Sequence, residues 1–312
     1  MNENYLWDRT GEPDPEVARL ENLLQDLRWV DRPPIKRHWY QQKTWLLAAA
    51  AILLTIGVTS IFIPAKDQAT SWQLSLAGQK PSIVRSGQVI ETGRAGATIR
   101  SEFIGEVAID ANSRLRMLPA LTDQHTLALD HGTIHATIWA PPTKFVVDTP
   151  AAKTVDLGCQ YTLTIDKSGA GFLQVEVGWV AFQQGKIESF IPEGAACTTH
   201  VGHGPDTPYF LDAPPALTKA LAQFDLTGEA QSLSSVLAAA RPHDALTLWH
   251  LLERTQGADR IEVFDRFATL VNLPPTVTRE RILANDRQSL DAAWDALQLG
   301  DTGWWREWKR NW

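Results

Sequence analysis

Cys197, His200 and His203 form a Cys-x-x-His-x-x-His run in a Gly- and Pro-rich stretch. Thiolates and imidazoles are zinc ligands, but a site needs three or four of them held in fixed geometry. No fourth ligand stands nearby, so the run is expected to be a loop without metal. His131 and His135 are four apart and lie on opposite sides of Gly132. That placement suits the end of one strand and the start of the next, on a solvated face. No nucleophile elbow, Walker loop or His-Glu-x-x-His occurs. The carboxylates are scattered, with no pair marked as acid and base. The chain is therefore expected not to be an enzyme, with no catalytic residue, cofactor or metal. Two cysteines remain, Cys159 and Cys197. An oxidising compartment permits a disulfide between them; otherwise they are half-buried thiols.

The segment that must position most of these residues has a two-residue period. In TVDLGCQYTLTID, Val155, Leu157, Cys159, Tyr161, Leu163 and Ile165 alternate with Asp156, Gly158, Gln160, Thr162, Thr164 and Asp166. This predicts a strand with one buried and one wet face. A turn at 167–171 and renewed alternation through Leu173, Val175, Val177 and Trp179 predict a hairpin or a consecutive rung. Shorter strand-like runs precede it at 82–84, 98–100, 107–109, 115–118, 126–129, 134–138 and 145–147, with turns near Gly87, Gly105, Asn112, Gly132 and Pro141-Pro142. Many short strands at such spacing mean a sandwich, a barrel or a β-solenoid.

Upstream, TWLLAAAAILLTIGVTSIFIPA at 44–65 lies in an uncharged interval between Lys43 and Lys66. A helix from Trp45 to Ala65 would be about 31 Å long, the thickness of a bilayer's hydrocarbon core. Thr55, Thr59 and Ser60 can bond back to helix carbonyls, and Gly57 is tolerable in lipid. A retained transmembrane helix is expected. Arg28, Arg32, Lys36, Arg37 and Lys43 precede it, against Lys66, Lys80 and Arg85 after it. The positive-inside rule then places the N-terminus in the cytoplasm and the bulk of the chain outside. The net charge of −7 and the lack of a larger basic block disfavour direct nucleic-acid binding.

Before the span, Asp14 and Pro15 are a helix-start signal and Pro33-Pro34 a stop. Between them Val17, Leu20, Leu24 and Leu27 make one apolar stripe. A helix of about 15 residues with such a stripe is marginal alone and needs a partner surface. That surface is either its own Tyr5-Leu6-Trp7, the membrane, or the groove of a cytosolic protein.

The stretch from ETGRAGATIRSEFIGEVAIDANSRLRML to QVEVGWVAF resembles the FecR domain family. The resemblance rests on the order of its elements: ETGRAGA, G-x-V-x-I at 105–109, S-R-L-R at 113–116, L-x-x-G-x-I-x-A at 129–136, F-x-V-D-T-P at 145–150, G-x-x-Y-x-L at 158–163, then VEVGWV. It implies a single-span protein with a β-rich extracytoplasmic domain and a short cytoplasmic end that regulates an extracytoplasmic-function sigma factor.

From Asp212 the alternation stops. LTKALAQF, SLSSVLAAA, DALTLWHLLERT, RIEVFDRFATLV, TRERILANDRQSLDAAWDALQL and WWREWKRNW read as helices. Stripes such as Leu246, Trp249 and Leu252 fit pairwise packing. Trp304, Trp305, Trp308 and Trp312 either lie on a membrane surface or close the helical core.

The expected fold class is mixed and multi-domain: a cytoplasmic helical segment (1–43), a transmembrane helix (44–65), an extracytoplasmic all-β FecR-like domain of solenoid or sandwich type (66–211), and an all-α tail (212–312). The expected location is a bacterial inner membrane, single-pass, with the bulk periplasmic. The expected function is an anti-sigma-type regulator that meets a sigma factor inside, an envelope protein or ligand outside, and membrane lipid through the span. The alternative is a membrane-tethered envelope binding or scaffolding protein with no sigma-factor role.

Overall fold

The computed structural model describes Pro15, Arg19 and residues 71–76, 78–119 and 124–300. Strands come first: β1 (Trp72–Leu76), β2 (Ser82–Val84), β3 (Val89–Glu91), β4 (Ala97–Ser101), β5 (Gly105–Ile109), β6 (Arg114–Met117), β7 (His125–Ile138) and β8 (Phe145–Asp148). They continue with β9 (Lys153–Asp156), β10 (Gln160–Ile165), β11 (Gly171–Val177), β12 (Trp179–Gln184), β13 (Ile187–Pro192), β14 (Ala195–His200), β15 (Gly204–Pro205) and β16 (Tyr209–Phe210).

They form two layers that share one strand. The first runs β2-β1-β4-β5-β7-β10-β11-β14, with β15 and β16 both on β14; the second runs β3-β6-β7-β8-β9-β12-β13. β7 and β8 are parallel, whereas the other paired strands are antiparallel. Residues 125–131 of β7 pair with β6 and β8, and residues 132–138 pair with β5 and β10. The crossing point is Gly132, at φ 106°, where an added Cβ would overlap the backbone and side chain of Ser113. A register shift in β6 between Arg114 and Leu115 falls opposite the same point. Gly132 is thus a pivot inside one strand, where the sequence suggests a turn between two.

Alternation turns Ile99, Val107, Ile134, Leu163 and Leu173 of the first layer toward Leu115, Leu127, Phe145, Val147 and Phe182 of the second, all of them buried. Each large apolar side chain so removed from water contributes about 1.5–3 kcal/mol. The β10–β11 hairpin closes through Asp166, whose carboxylate accepts from the Ser168 and Ala170 amides.

Among the described residues six α-helices follow: α1 (Pro215–Thr227), α2 (Ala230–Ala239), α3 (Ala245–Arg254), α4 (Gly257–Leu270), α5 (Arg279–Leu283) and α6 (Arg287–Asp295). Pro215 opens α1 where its missing N–H costs nothing, and Gly228 at φ 68° ends it. All eight residues from Ala245 to Leu252 of α3 are buried, so it is the central helix of the tail. The run from 278 to 299 does not continue as one helix. Asn285, at φ 55°, breaks it, and Asp286 caps α6 by accepting from the Ser289 amide at 3.0 Å.

The helices cover the outer side of β12 and β13. Trp179 stacks on Phe190 at 4.9 Å, and Trp294 of α6 meets both rings. Trp294 also packs edge-on against Trp249 of α3, 4.8 Å away. The Phe190 amide donates to His250 Nε2 at 3.1 Å, while His250 Nδ1–H donates to the Leu246 carbonyl. Burial holds the His250 imidazole neutral, its pKa down at about 3. Strands and helices belong to one unit, Gln68–Trp312.

The expected single-pass architecture is corrected. Among the described residues no helix is long and apolar enough to cross a membrane. The longest of them, α4, has 14 residues, or about 21 Å against the roughly 30 Å needed, and it carries Asp259, Glu262 and Asp265. The described fold is a β-sheet domain over residues 72–210 followed by a helical tail, and the inner-membrane assignment is withdrawn with the span. The stretch 44–65 lies outside the described residues, as do Trp304, Trp305, Trp308 and Trp312.

Candidate functional site

A cleft of about 600 Å³ opens between the β layers and the helices. The β12–β13 turn supplies Lys186 and Ile187, the link from β14 through β15 supplies His203 and Asp206, and the last turns of α1 and α3 supply Asp225 and Arg254. Its floor is a polar relay. Arg254 donates to the Pro205 carbonyl at 3.1 Å, to Thr207 Oγ1 at 3.2 Å and to Ser189 Oγ at 2.5 Å. Thr207 donates its own hydroxyl proton to Asp225 Oδ1 at 2.7 Å, and its amide donates to Oδ2 at 2.9 Å. The guanidinium itself stays 4.0 Å from Asp225 Oδ1.

Asp206 faces the same space, with His200 Nε2 at 3.1 Å from its Oδ2. Burial, and next the Asp225 charge, push the Asp206 carboxyl up to about 6; His200 and Arg254 hold it from rising further. Burial also raises Asp225, against Arg254 and Thr207. The arrangement gathers charge from four separate elements and fixes it with hydrogen bonds, as a binding site does.

A second polar group lies between the β layers. Asp156 is 1% exposed. Its Oδ1 accepts from the Gly158 amide at 2.7 Å, and its Oδ2 from the Cys159 thiol at 2.6 Å. Burial pushes the carboxyl up to about 7 and the Cys159 thiol well above its ordinary value. Thr154 Oγ1 and Tyr161 Oη are buried without a hydrogen-bond partner among the described residues.

The residues singled out by spacing fare differently. Cys159 and Cys197 are both buried free thiols, so the disulfide is not formed. The register explains why: Cys197 lies beside Leu173 and Leu163, two strands across from β10. Cys159 is four residues further along, so the two Cα atoms are about 16 Å apart, against a limit near 7 Å for a bridge. Cys197 Sγ instead donates to the Asp206 carbonyl at 3.1 Å. His200 points to Asp206, so the Cys-x-x-His-x-x-His run does not converge, and no described cluster of His, Cys, Asp or Glu is arranged for a metal ion. His131 and His135 share β7. His135 lies on the exposed outer face, hydrogen-bonded to Thr162 Oγ1 and to Asp110. Val17, Leu20, Leu24 and Leu27 lie outside the described residues. The cleft has no local sequence signal, because its floor joins positions from 189 to 254.

No family model matches the chain, the FecR domain included, and no curated protein matches it. Among solved structures, two of a "putative anti-sigma factor" from Parabacteroides distasonis ATCC 8503, at 1.65 Å and 2.50 Å resolution, match part of the chain. Each is 16% identical with a TM-score of 0.30; the matches cover 45% and 48% of this chain. The chain spans 63% and 65% of the length of those chains.

Proposed function

We propose that this chain is a non-enzymatic regulator of the anti-sigma type. In this reading the stripe Val17, Leu20, Leu24 and Leu27 grips a sigma factor, and the β-and-helix unit carries the site that receives the signal. The observation that carries it is that the motifs of the resemblance fall on strands of the sheet domain. G-x-V-x-I coincides with β5, L-x-x-G-x-I-x-A lies in β7 with its glycine at the pivot, F-x-V-D is β8 and G-x-x-Y-x-L enters β10. The strands that hold these motifs, β5, β8 and β10, all pair with β7, which supports the reading. An apolar stripe on a short helix supports the partner assignment, because such a helix gains stability by docking.

The test is capture of extracytoplasmic-function sigma factors by the full chain. Changing Leu20→Asp together with Leu24→Asp places two charges on the stripe and should abolish capture. Capture that survives the pair of changes refutes the assigned surface.

A further inference from the structure

β8, β9 and β12 each carry consecutive buried residues, such as Phe145, Val146 and Val147, all at 0% exposure. A strand so buried is covered on both faces. Phe145, Val147 and Phe182 face the first layer; Val146, Val155 and Ala181 alternate with them and point away from it. Register sets Val146, Val155, Ala181 and Phe190 in one row across β8, β9, β12 and β13. Trp294 and His250 cover the Phe190 end of that row. At the other end Val146 is buried as deeply, yet it stands outside the hydrophobic core that both layers and the helices share.

The chain leaves the described fold beside this row. Trp294 Nε1–H donates to the Gly300 carbonyl at 3.2 Å, and a Cβ added at Gly300 would stand 2.9 Å from the Trp179 ring. Residues 301–312, which lie outside the described residues, read DTGWWREWKRNW. We propose that residues 304–312 seat on the outer face of β12, β9 and β8 of their own chain, with Trp304, Trp308 and Trp312 over Ala181, Val155 and Val146. In a helix those three indoles, four apart, share one face, and Arg306 and Arg310 fall on the opposite one, toward water. From Trp304 to Trp312 the helix rises about 12 Å. The two strand spacings from Ala181 to Val146 take about 10 Å, so the stripe and the row match in length. They match in chemistry too, since indoles bring large apolar area to an aliphatic surface. Seated so, the indoles are withheld from any other surface until the tail is lifted.

The seat does not rest on sigma-factor capture, so either reading can fail alone. Chemical cross-linking of the full chain tests it: Lys309→Cys is combined with Lys153→Cys, and the native protein is treated with a short bis-maleimide. Lys153 is exposed and lies two residues from Val155 on the same face of β9, while the native Cys159 and Cys197 are buried. In the comparison protein Glu193→Cys takes the place of Lys153→Cys. Glu193 is exposed and follows Pro192, the residue paired with Trp179, so it is nearer to the point where the tail leaves. A roaming tail links to Glu193→Cys at least as well, whereas a seated tail links within its own chain to Lys153→Cys about tenfold more. Changing Trp304, Trp308 and Trp312 together to Ser should remove that preference. Equal linkage to both sites or a preference for Glu193→Cys overturns the proposal. So does linkage only between two chains, or a preference that survives the triple change.

Discussion

Replacing Asp156 by asparagine should change how stability depends on pH more than how large it is. The carboxyl is buried between the layers and ionises at about 7 instead of 3.8. Between those values the unfolded chain has lost the proton and the folded chain keeps it. The folded state then binds more protons, so stability falls as pH rises through this window. The gap, at 1.36 kcal/mol per pH unit, is about 4 kcal/mol.

His250 acts in the opposite sense. Its neutral form is favoured down to about 3 against an ordinary 6.5, so its contribution is complete above 6.5 and is lost as pH falls. Between pH 4 and 6.5 these two slopes nearly offset each other, and Asp206, raised to about 6, adds a downward slope that parent and variant share. The amide introduced by Asp156→Asn retains an oxygen for the Gly158 N–H and has no charge to bury. Urea unfolding at pH steps from 4 to 8 should show the variant gaining on the parent by about 4 kcal/mol across that range. Parallel curves for the two proteins would mean that Asp156 ionises like a surface carboxylate, and the argument from its burial would fail.

Gly132→Ala should cost at least about 3 kcal/mol, or prevent folding, because the new Cβ would meet Ser113 and the φ of 106° disfavours any side chain; denaturant titration measures it. Trp294→Ala should cost about 3–5 kcal/mol, since the ring is fully buried between Trp179, Phe190 and Trp249, and near-ultraviolet circular dichroism should lose the signal of the coupled indoles. Both cysteines should react with a thiol reagent once the chain is unfolded without reductant and neither should react in the native state, because both are buried and free; no reaction after unfolding would indicate a bridge.

Alternation made the β10–β11 hairpin legible, because Tyr161, Leu163, Leu173 and Val175 have one buried face and no interruption. The same reasoning misplaced Gly132, since a glycine inside a strand and a glycine in a turn look alike until the neighbouring Ser113 is known. The run from 278 to 299 reads as one helix in the sequence, whereas Thr278 and Asp286 cap two short ones. The cysteine pairing failed for a reason no count reveals: distance across strands depends on register. The cleft was illegible altogether, because Asp206, Asp225 and Arg254 meet only after the tail folds back on the sheet.

A backbone segment that belongs to both layers has a mechanical consequence. Neither layer can peel off or slide past the other without tearing the ladder at 125–131 or at 132–138. Amide protons on either side of Gly132 should therefore exchange with solvent at matching rates, as one cooperative opening. Force applied at β5 would reach β8 along the covalent backbone of β7, which pairs with both.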